Sequence, residues 1–457
     1  MVKEEKQEFA VLCYGAKPDG EFLCTNSIQK AIDTAASHGG GIVTFAEGIY
    51  LTGSIFLKSN VDLLINEGVE IRGVVDEMAY PLQWSRVAGI EMNWPAGLIN
   101  ICGQKNIKIS GKGLINGQGE YWWNKYWGEN KLGGMRKGYT EKGLRWAVDY
   151  DCKRPRNIIV WNSSEIALSN FNVVRSPFWN VHICYSDQIH IDGLKIKENS
   201  GPSTDGIDID SSSNVLVENC YVECNDDNLC IKAGRDADGL RVNRKAQNIV
   251  IRNCELGAGG GITLGSETSG GISNVEIYNI KAKGTENGIR FKSARTRGGI
   301  VEEIYIHDIE MVDVHTIFSF KLNWNPQYSY AIVPQNWKEE IPEHWKVLAE
   351  PVKPAIKGIP EFKNIRISNV KAKKTKAKFS NKEQQQLSQA FIVEAYLEKT
   401  IKEVHFSDVF IEADESGSIE NAKDWSMENV ILRTADQQPI KIKNCQNVQL
   451  PKIERSI

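Results

Sequence analysis

The sequence predicts an all-β chain wound as a right-handed parallel β-helix, with one helix capping its N-terminal end. Three observations carry this. Nine segments repeat one pattern: apolar, any, apolar, polar, then Asn, Asp or Gly. They are IKISG from Ile107, IALSN from Ile166, IHIDG from Ile189, VLVEN from Val215, IVIRN from Ile249, VEIYN from Val275, IYIHD from Ile304, IRISN from Ile365 and VHFSD from Val404. From Ile166 to Ile304 the starts fall about 23 to 34 residues apart, a spacing of stacked coils. Thirty-nine glycines with few helix-forming stretches complete the picture.

The elements follow in order. The start, MVKEEKQEFA, has no apolar core of a leader, so the chain reads either as cytosolic or as a secreted protein whose leader was removed. The stretch NSIQKAIDTAASHGGG is the one convincing helix. Ile28, Ala31, Ile32 and Ala35 recur at helical spacing, Asn26 or Ser27 caps the start, and Gly39 follows the end. The N-terminal cap is expected over about residues 8–75.

In each repeat, alternation of period two makes a strand and the fifth position makes a bend. A second strand precedes the pattern: NVHIC at Asn180, GIDID at Gly206, NLCIK at Asn228, GITLG at Gly261 and GIRFK at Gly288. Each coil is therefore read as strand, turn, strand, turn. One such unit cannot bury its apolar face alone, and stacking supplies the core. An antiparallel sandwich is the main rival, but coil-length repeats fit it poorly. The recurrent Asn170, Asn219, Asn253, Asn279 and Asn369 are expected to stack at the bend and share amide hydrogen bonds. Cys220 and Cys254 fall on one rung position, as buried thiols would. Two insertions rich in Trp and Tyr, about 118–156 and 323–362, interrupt the coils of a single domain spanning 1–457. Half or more of their rings should simply pack the loops down, and others offer flat apolar faces to a ligand.

Composition removes several functions. A formal net charge of −3 without a basic stripe argues against nucleic acid. No apolar run reaches membrane-spanning length. Ten cysteines in 457 residues are not a disulfide scaffold, and Cys220, Cys224 and Cys230 lack zinc spacing and a nearby His.

What remains is the acidic stretch CNDDNLCIKAG. Asp205 stands just before Gly206, and Asp227 just before Asn228 one coil later. Parallel strands lie ~4.8 Å apart, so Asp205, Asp226 and Asp227 should form one acidic cluster facing solvent. Such crowding drives one carboxyl toward protonation while its neighbours stay ionised. Ile207 and Ile209 point in, so Asp208 and Asp210 point out; Ile289 and Phe291 point in, so Arg290 and Lys292 point out, with Lys232 and Thr263 on the same face. A basic pair beside an acidic trio suits a groove that hydrolyses a glycosidic bond and holds an anionic sugar. The plainer alternative pairs Arg290 and Lys292 with Asp208 and Asp210 at the surface.

STDG (203–206), NDD (225–227) and RFK (290–292) resemble the motifs NTDG, G/QDD and RIK of family 28 of the glycoside hydrolases, the polygalacturonases and rhamnogalacturonases. YGAKPDG, GKGLINGQG, GRDADGLRVNR and GITLGSETSGG resemble bacterial members, over about residues 10–320. The resemblance implies the β-helix and an inverting hydrolase of α-linked galacturonic acid in pectin. It implies Asp226 as general acid, Asp205 and Asp227 as holders and activators of water, and Arg290, Lys292, Lys232 and Asn225 as contacts to substrate, with no metal or cofactor. Retention of Arg290 and Lys292 favours a galacturonidase over a rhamnogalacturonan hydrolase. Aromatic loops walling the groove favour action at chain ends. A pectic substrate implies a periplasmic or secreted enzyme. Two positions depart from the family: Ser203 replaces Asn, and the usual Gly-His-Gly stretch reads GAGGG, with Gly259 at the His position. None of the seven His lies near it, and His182, on an outward row, could at most approach the groove. That departure implies a specialised subsite, weaker activity or another substrate. A calcium-dependent pectate lyase and a non-catalytic pectin-binding homologue are the remaining alternatives.

Overall fold

The computed structural model describes residues 6–375 and 387–454. The chain is a right-handed parallel β-helix, as its sequence predicts: every paired strand in the two large sheets runs parallel to its neighbours. It packs as two units, one of Met1–Val87, Glu91–Lys142 and Val148–Asp226, the other of Ala88–Ile90, Gly143–Ala147 and Asp227–Ile457.

In the first unit the helix α1 runs Thr25–Ser37 and buries Ile28, Ala31, Ile32 and Ala35, the four positions its periodicity picks out. The start differs from expectation. The N-cap is Cys24, without a side-chain cap, and Asn26 and Ser27 lie inside the first turn. Each coil of this unit carries three strands rather than two. Ile158–Trp161, Val181–Cys184 and Ile207–Asp210 pair in one sheet. Ser164–Ser169, Asp187–Asp192 and Ser213–Glu218 pair in a second row, and Asn172–Val174, Lys195–Lys197 and Tyr221–Val222 in a third. The bend residue separates the last two rows. Asn170 and Asn219 sit there at φ 66° and 57°, a conformation Asn tolerates better than other side chains. Asn219 Nδ2 donates to Asp192 Oδ1 of the coil before it at 2.7 Å. Ile166, Ile189 and Val215 stack in register and are buried, as are Leu168, Ile191 and Val217. Each such side chain stabilises the stack by ~1.5–3 kcal/mol relative to exposure.

In the second unit the bend no longer breaks the strand. Ala246–Leu256, Ile272–Lys283, Ile300–Val312, Glu361–Lys373, Ile401–Ala413 and Ala422–Thr434 run through it unbroken. Asn253 and Asn279 keep positive φ, and Asn279 Nδ2 donates to Asn253 Oδ1 at 2.7 Å. Opposite lies the short-strand sheet of Leu229–Lys232, Ile262–Leu264, Asn287–Lys292 and Thr316–Lys321. Phe291 and Phe320 stack between the sheets with centroids 4.6 Å apart.

The insertions are partly helical. Helices α2 (Glu120–Trp127), α3 (Gly134–Glu141) and α4 (Val148–Asp151) fill the first. Tyr126, Trp127, Val148 and Cys152 form a small core covered by Met135 and Tyr139. In the second unit Trp345 packs against Trp337 and Trp146 at 5.1 and 5.0 Å. Most of these rings therefore pack loops, as expected. The ten cysteines are free thiols; Cys220 and Cys254 are buried, each donating to the carbonyl two residues before it.

Candidate active site

The acidic turns of the first unit are laid side by side by the coil repeat. Asn225 N donates to Thr204 Oγ1 at 3.3 Å, so Asp205 and Asp226 each follow directly on one contact between neighbouring turns. Thr204 is itself fixed by donating to the carbonyls of Asn199 and Gly201, both at 2.9 Å. The Asp205 carbonyl accepts from Asn180 N and Nδ2 at 2.9 and 3.0 Å, which locks the strand entry. Asp205 is 4% exposed, Asp226 half-buried and Asn225 exposed.

Farther along the strand, Asp208 and Asp210 project away from the core but are wholly buried rather than set at the surface. Arg86 Nη1 donates to Asp210 Oδ1 at 3.1 Å and to Ser211 Oγ at 2.7 Å. His182, the register partner of Asp208 on the outward row, is also fully buried rather than open to a groove. Arg156 Nη1 lies 2.6 Å from its Nδ1. Guanidinium can only donate, so Nδ1 accepts and the ring proton sits on Nε2, which faces Asp210 Oδ2 at 3.6 Å. Burial pushes the Arg156 guanidinium down to about 10, against the opposing pull of nearby Cys184, Cys102, Asp208 and Asp210.

In the second unit Asp227 is the centre of a cationic cage. Its side chain has no exposed surface. Arg290 Nη2 donates to Oδ1, Lys292 Nζ donates to Oδ2 at 2.8 Å, and Lys232 Nζ stands 4.0 Å from Oδ2. Thr263 Oγ1 donates to Oδ1 at 2.9 Å while accepting from Arg290 Nε at 3.3 Å. Cys230 Sγ adds a weak contact to Oδ2 at 3.4 Å. Burial alone would raise the Asp227 carboxyl; Arg290, Lys292 and Lys232 outweigh it and hold the group well below the usual carboxylate range. Both Arg290 and Lys292 thus meet a carboxylate of the chain itself, Asp227. The plainer sequence alternative placed such pairs at the surface, whereas Asp227 is fully buried. The physical reason is reach. Thr263 and Arg290 are register partners on successive strands, and a long side chain spans more than one rung.

Three neighbours of the cage were not singled out from sequence. Glu267 is buried, its Oε2 3.6 Å from Lys232 Nζ. Burial opposes its ionisation, but Lys232, Arg297, Lys292 and Arg235 together lower its carboxyl. Trp324, from the second insertion, lies under Lys292, with Nζ 4.3 Å from the ring centroid. The aromatic insertion was legible in the sequence, but not that this ring would meet Lys292. Third, Asn228 clamps the glycine loop. Its Nδ2 donates to the carbonyls of Gly257 and Ala258 at 3.4 and 3.2 Å, and Oδ1 accepts from Gly261 N at 2.8 Å. Gly259 has φ 149°, and a Cβ there would lie 2.4 Å from Asn228 Oδ1. A Cβ on Gly260 would lie 2.6 Å from both Arg290 Nη2 and Asp227 Oδ1. The backbone thus occupies space where a side chain is expected, and no histidine fits position 259 in this loop.

Three cations (Arg290, Lys292, Lys232) face two buried carboxylates (Asp227, Glu267) inside this cluster, and Arg290 Nη1 also stands 3.9 Å from Glu286 Oε2.

Comparison with known proteins gives a consistent family signal. The model of the glycosyl hydrolases family 28 matches residues 85–318. A probable polygalacturonase of Vitis vinifera is 31% identical over 379 residues, 78% of this chain and 72% of that protein. An endo-polygalacturonase of Pectobacterium carotovorum subsp. carotovorum is 30% identical over 318 residues, 66% of this chain and 72% of its own. Among solved structures, a hyperthermoactive exopolygalacturonase from Thermotoga maritima superposes with a TM-score of 0.74 at 26% identity, covering 89% of this chain and 88% of that one.

Proposed function

This chain belongs to family 28 of the glycosyl hydrolases, and from that membership we propose that it hydrolyses α-linked galacturonic acid in pectic chains with inversion at the anomeric carbon. The observation that carries the reading is the convergence of Arg290, Lys292 and Lys232 on Asp227, a cluster of cations of the kind that holds a uronate carboxylate.

In this mechanism Asp226, the most accessible of the three acids, delivers a proton to the leaving glycosidic oxygen. Asp205 and Asp227 bind a water on the opposite face of the sugar and take its proton as it attacks. Asp227 stays ionised through the acid range, as a base requires. The uronate carboxylate shares Arg290 and Lys292 with Asp227, and Asn225 offers its amide at the exposed rim. Trp324 supplies an apolar face for the ring next to Lys292.

Action at chain ends is the finer part of the proposal. It draws support from the aromatic insertions and from the likeness to the Thermotoga maritima exopolygalacturonase. Because pectin lies outside cells, the working location is periplasmic or secreted. Product profiling on long polygalacturonate tests the exo reading: monomer or dimer as the sole early product supports it, and a spread of mid-length oligomers overturns it. A pectate lyase is disfavoured on chemistry, since three cations around Asp227 oppose a calcium ion there.

A further inference from the structure

The long-strand sheet of the second unit carries a second groove that the reaction does not use. Tyr305, Arg366 and His405 are exact register partners on three successive strands, so their side chains form one outward row at ~4.8 Å spacing. All three are exposed, Tyr305 to 40%. They line a cavity of about 500 Å³ together with Glu303, Asn364 and Ser368.

The row is organised before any ligand arrives. Tyr305 stacks on His307 with centroids 4.3 Å apart, and His307 stacks on Tyr278 at 4.9 Å and 4°. Arg252 Nη1 donates to Tyr278 Oη at 3.0 Å, anchoring the far end. His307 is also held by Asp308 at 2.7 Å. Arg366 forms no ion pair among the described residues, whereas nearby Lys363 and Lys402 are paired with Glu302 and Glu361.

We propose that this groove, lined by none of the candidate active-site residues, binds one residue of a hexuronic acid oligosaccharide. The pyranose face lies on Tyr305, Arg366 takes the carboxylate in a fork of two hydrogen bonds, and Asn364 and Ser368 meet the hydroxyls. Glu303 at the rim accepts sugar hydroxyls and repels the greater charge of a phosphate group. The choice of uronate over other acidic sugars rests on the function proposed above. A second foothold of this kind holds a polymer near the enzyme through a raised effective concentration.

The test is calorimetric titration of trigalacturonate into Asp226→Asn protein, with Tyr305→Ala and Arg366→Ala added singly. Two classes of site are expected, one of which weakens about tenfold or more in either surface variant while the other is unchanged. Cellotriose, lacking carboxylates, should leave the surface class empty. A single class of site indifferent to both substitutions, two classes indifferent to both, or equal binding of cellotriose overturns the proposal. If only the surface class titrates, the catalytic reading fails and this one stands.

Discussion

A methyl group at Gly259 probes the part of the site that departs most from its family. The residue has φ 149°, where an L side chain is strained by ~1–3 kcal/mol. Its Cβ would also lie 2.4 Å from Asn228 Oδ1 and 2.5 Å from Nδ2. Asn228 cannot give way without loosening three hydrogen bonds to Gly257, Ala258 and Gly261, each contributing ~0.5–1.5 kcal/mol. Gly259→Ala is therefore expected to destabilise the second unit by roughly 2–5 kcal/mol. Gly259→His should do at least as much harm and lower turnover rather than restore a lost function. Equilibrium unfolding in urea, with activity measured alongside, reads both effects. Asn228→Ala supplies the control: in that background the Gly259→Ala cost should shrink, because the clashing amide is gone. A Gly259→Ala protein within ~0.5 kcal/mol of the parent refutes the reasoning, since that is the range of an inert surface change. So does a Gly259→His protein that gains activity.

Asp226→Asn should cut turnover by about 10²–10⁴-fold with an unchanged circular dichroism spectrum and melting midpoint; a smaller loss removes Asp226 as the acid. Trp324→Ala should raise KM for galacturonate oligomers roughly tenfold through loss of the ring beneath Lys292, with a smaller change in kcat; an unchanged KM shows that the ring is not a sugar platform. Stability should fall in acid. The carboxyls of Asp227 and Glu267 are lowered in the folded protein, so as pH drops below about 4 the unfolded chain takes up protons first and unfolding is favoured. A melting midpoint that is level from pH 7 to 5 and falls below about 4 is expected; one that holds or rises between pH 5 and 3 contradicts the assignment.

Much of this architecture was legible because the β-helix repeats its local physics in every coil. Alternation in IHIDG and VLVEN picked out the buried Ile189, Ile191, Val215 and Val217, and the fifth position gave the positive-φ bend. The helix face of α1 was legible for the same reason. What the pattern could not convey was continuity across the bend. Asn219 and Asn279 share one conformation, yet only the second lies inside an unbroken strand, because pairing with neighbouring strands decides that. Helix α2 was hidden by aromatic residues of ordinary helix propensity, and Trp122, Trp123, Tyr126 and Trp127 are held by burial instead. At the site, period two placed Asp208, Asp210, Arg290 and Lys292 on outward faces but said nothing of what covers them. Asp210 lies beneath Arg86, 124 residues off in sequence, and His182 meets Arg156 of the coil before it. The pairing of Lys292 with Asp227 spans 65 residues and depends on side-chain reach, which alternation does not encode.

The most direct measurement of the central claim is the anomeric configuration of the first product released from trigalacturonate, followed by proton NMR within seconds of mixing. Hydrolysis with water delivered opposite the departing group predicts the β-anomer first, with the α-anomer growing in only by mutarotation. Initial release of the α-anomer, an unsaturated uronate, or no cleavage at all contradicts the account.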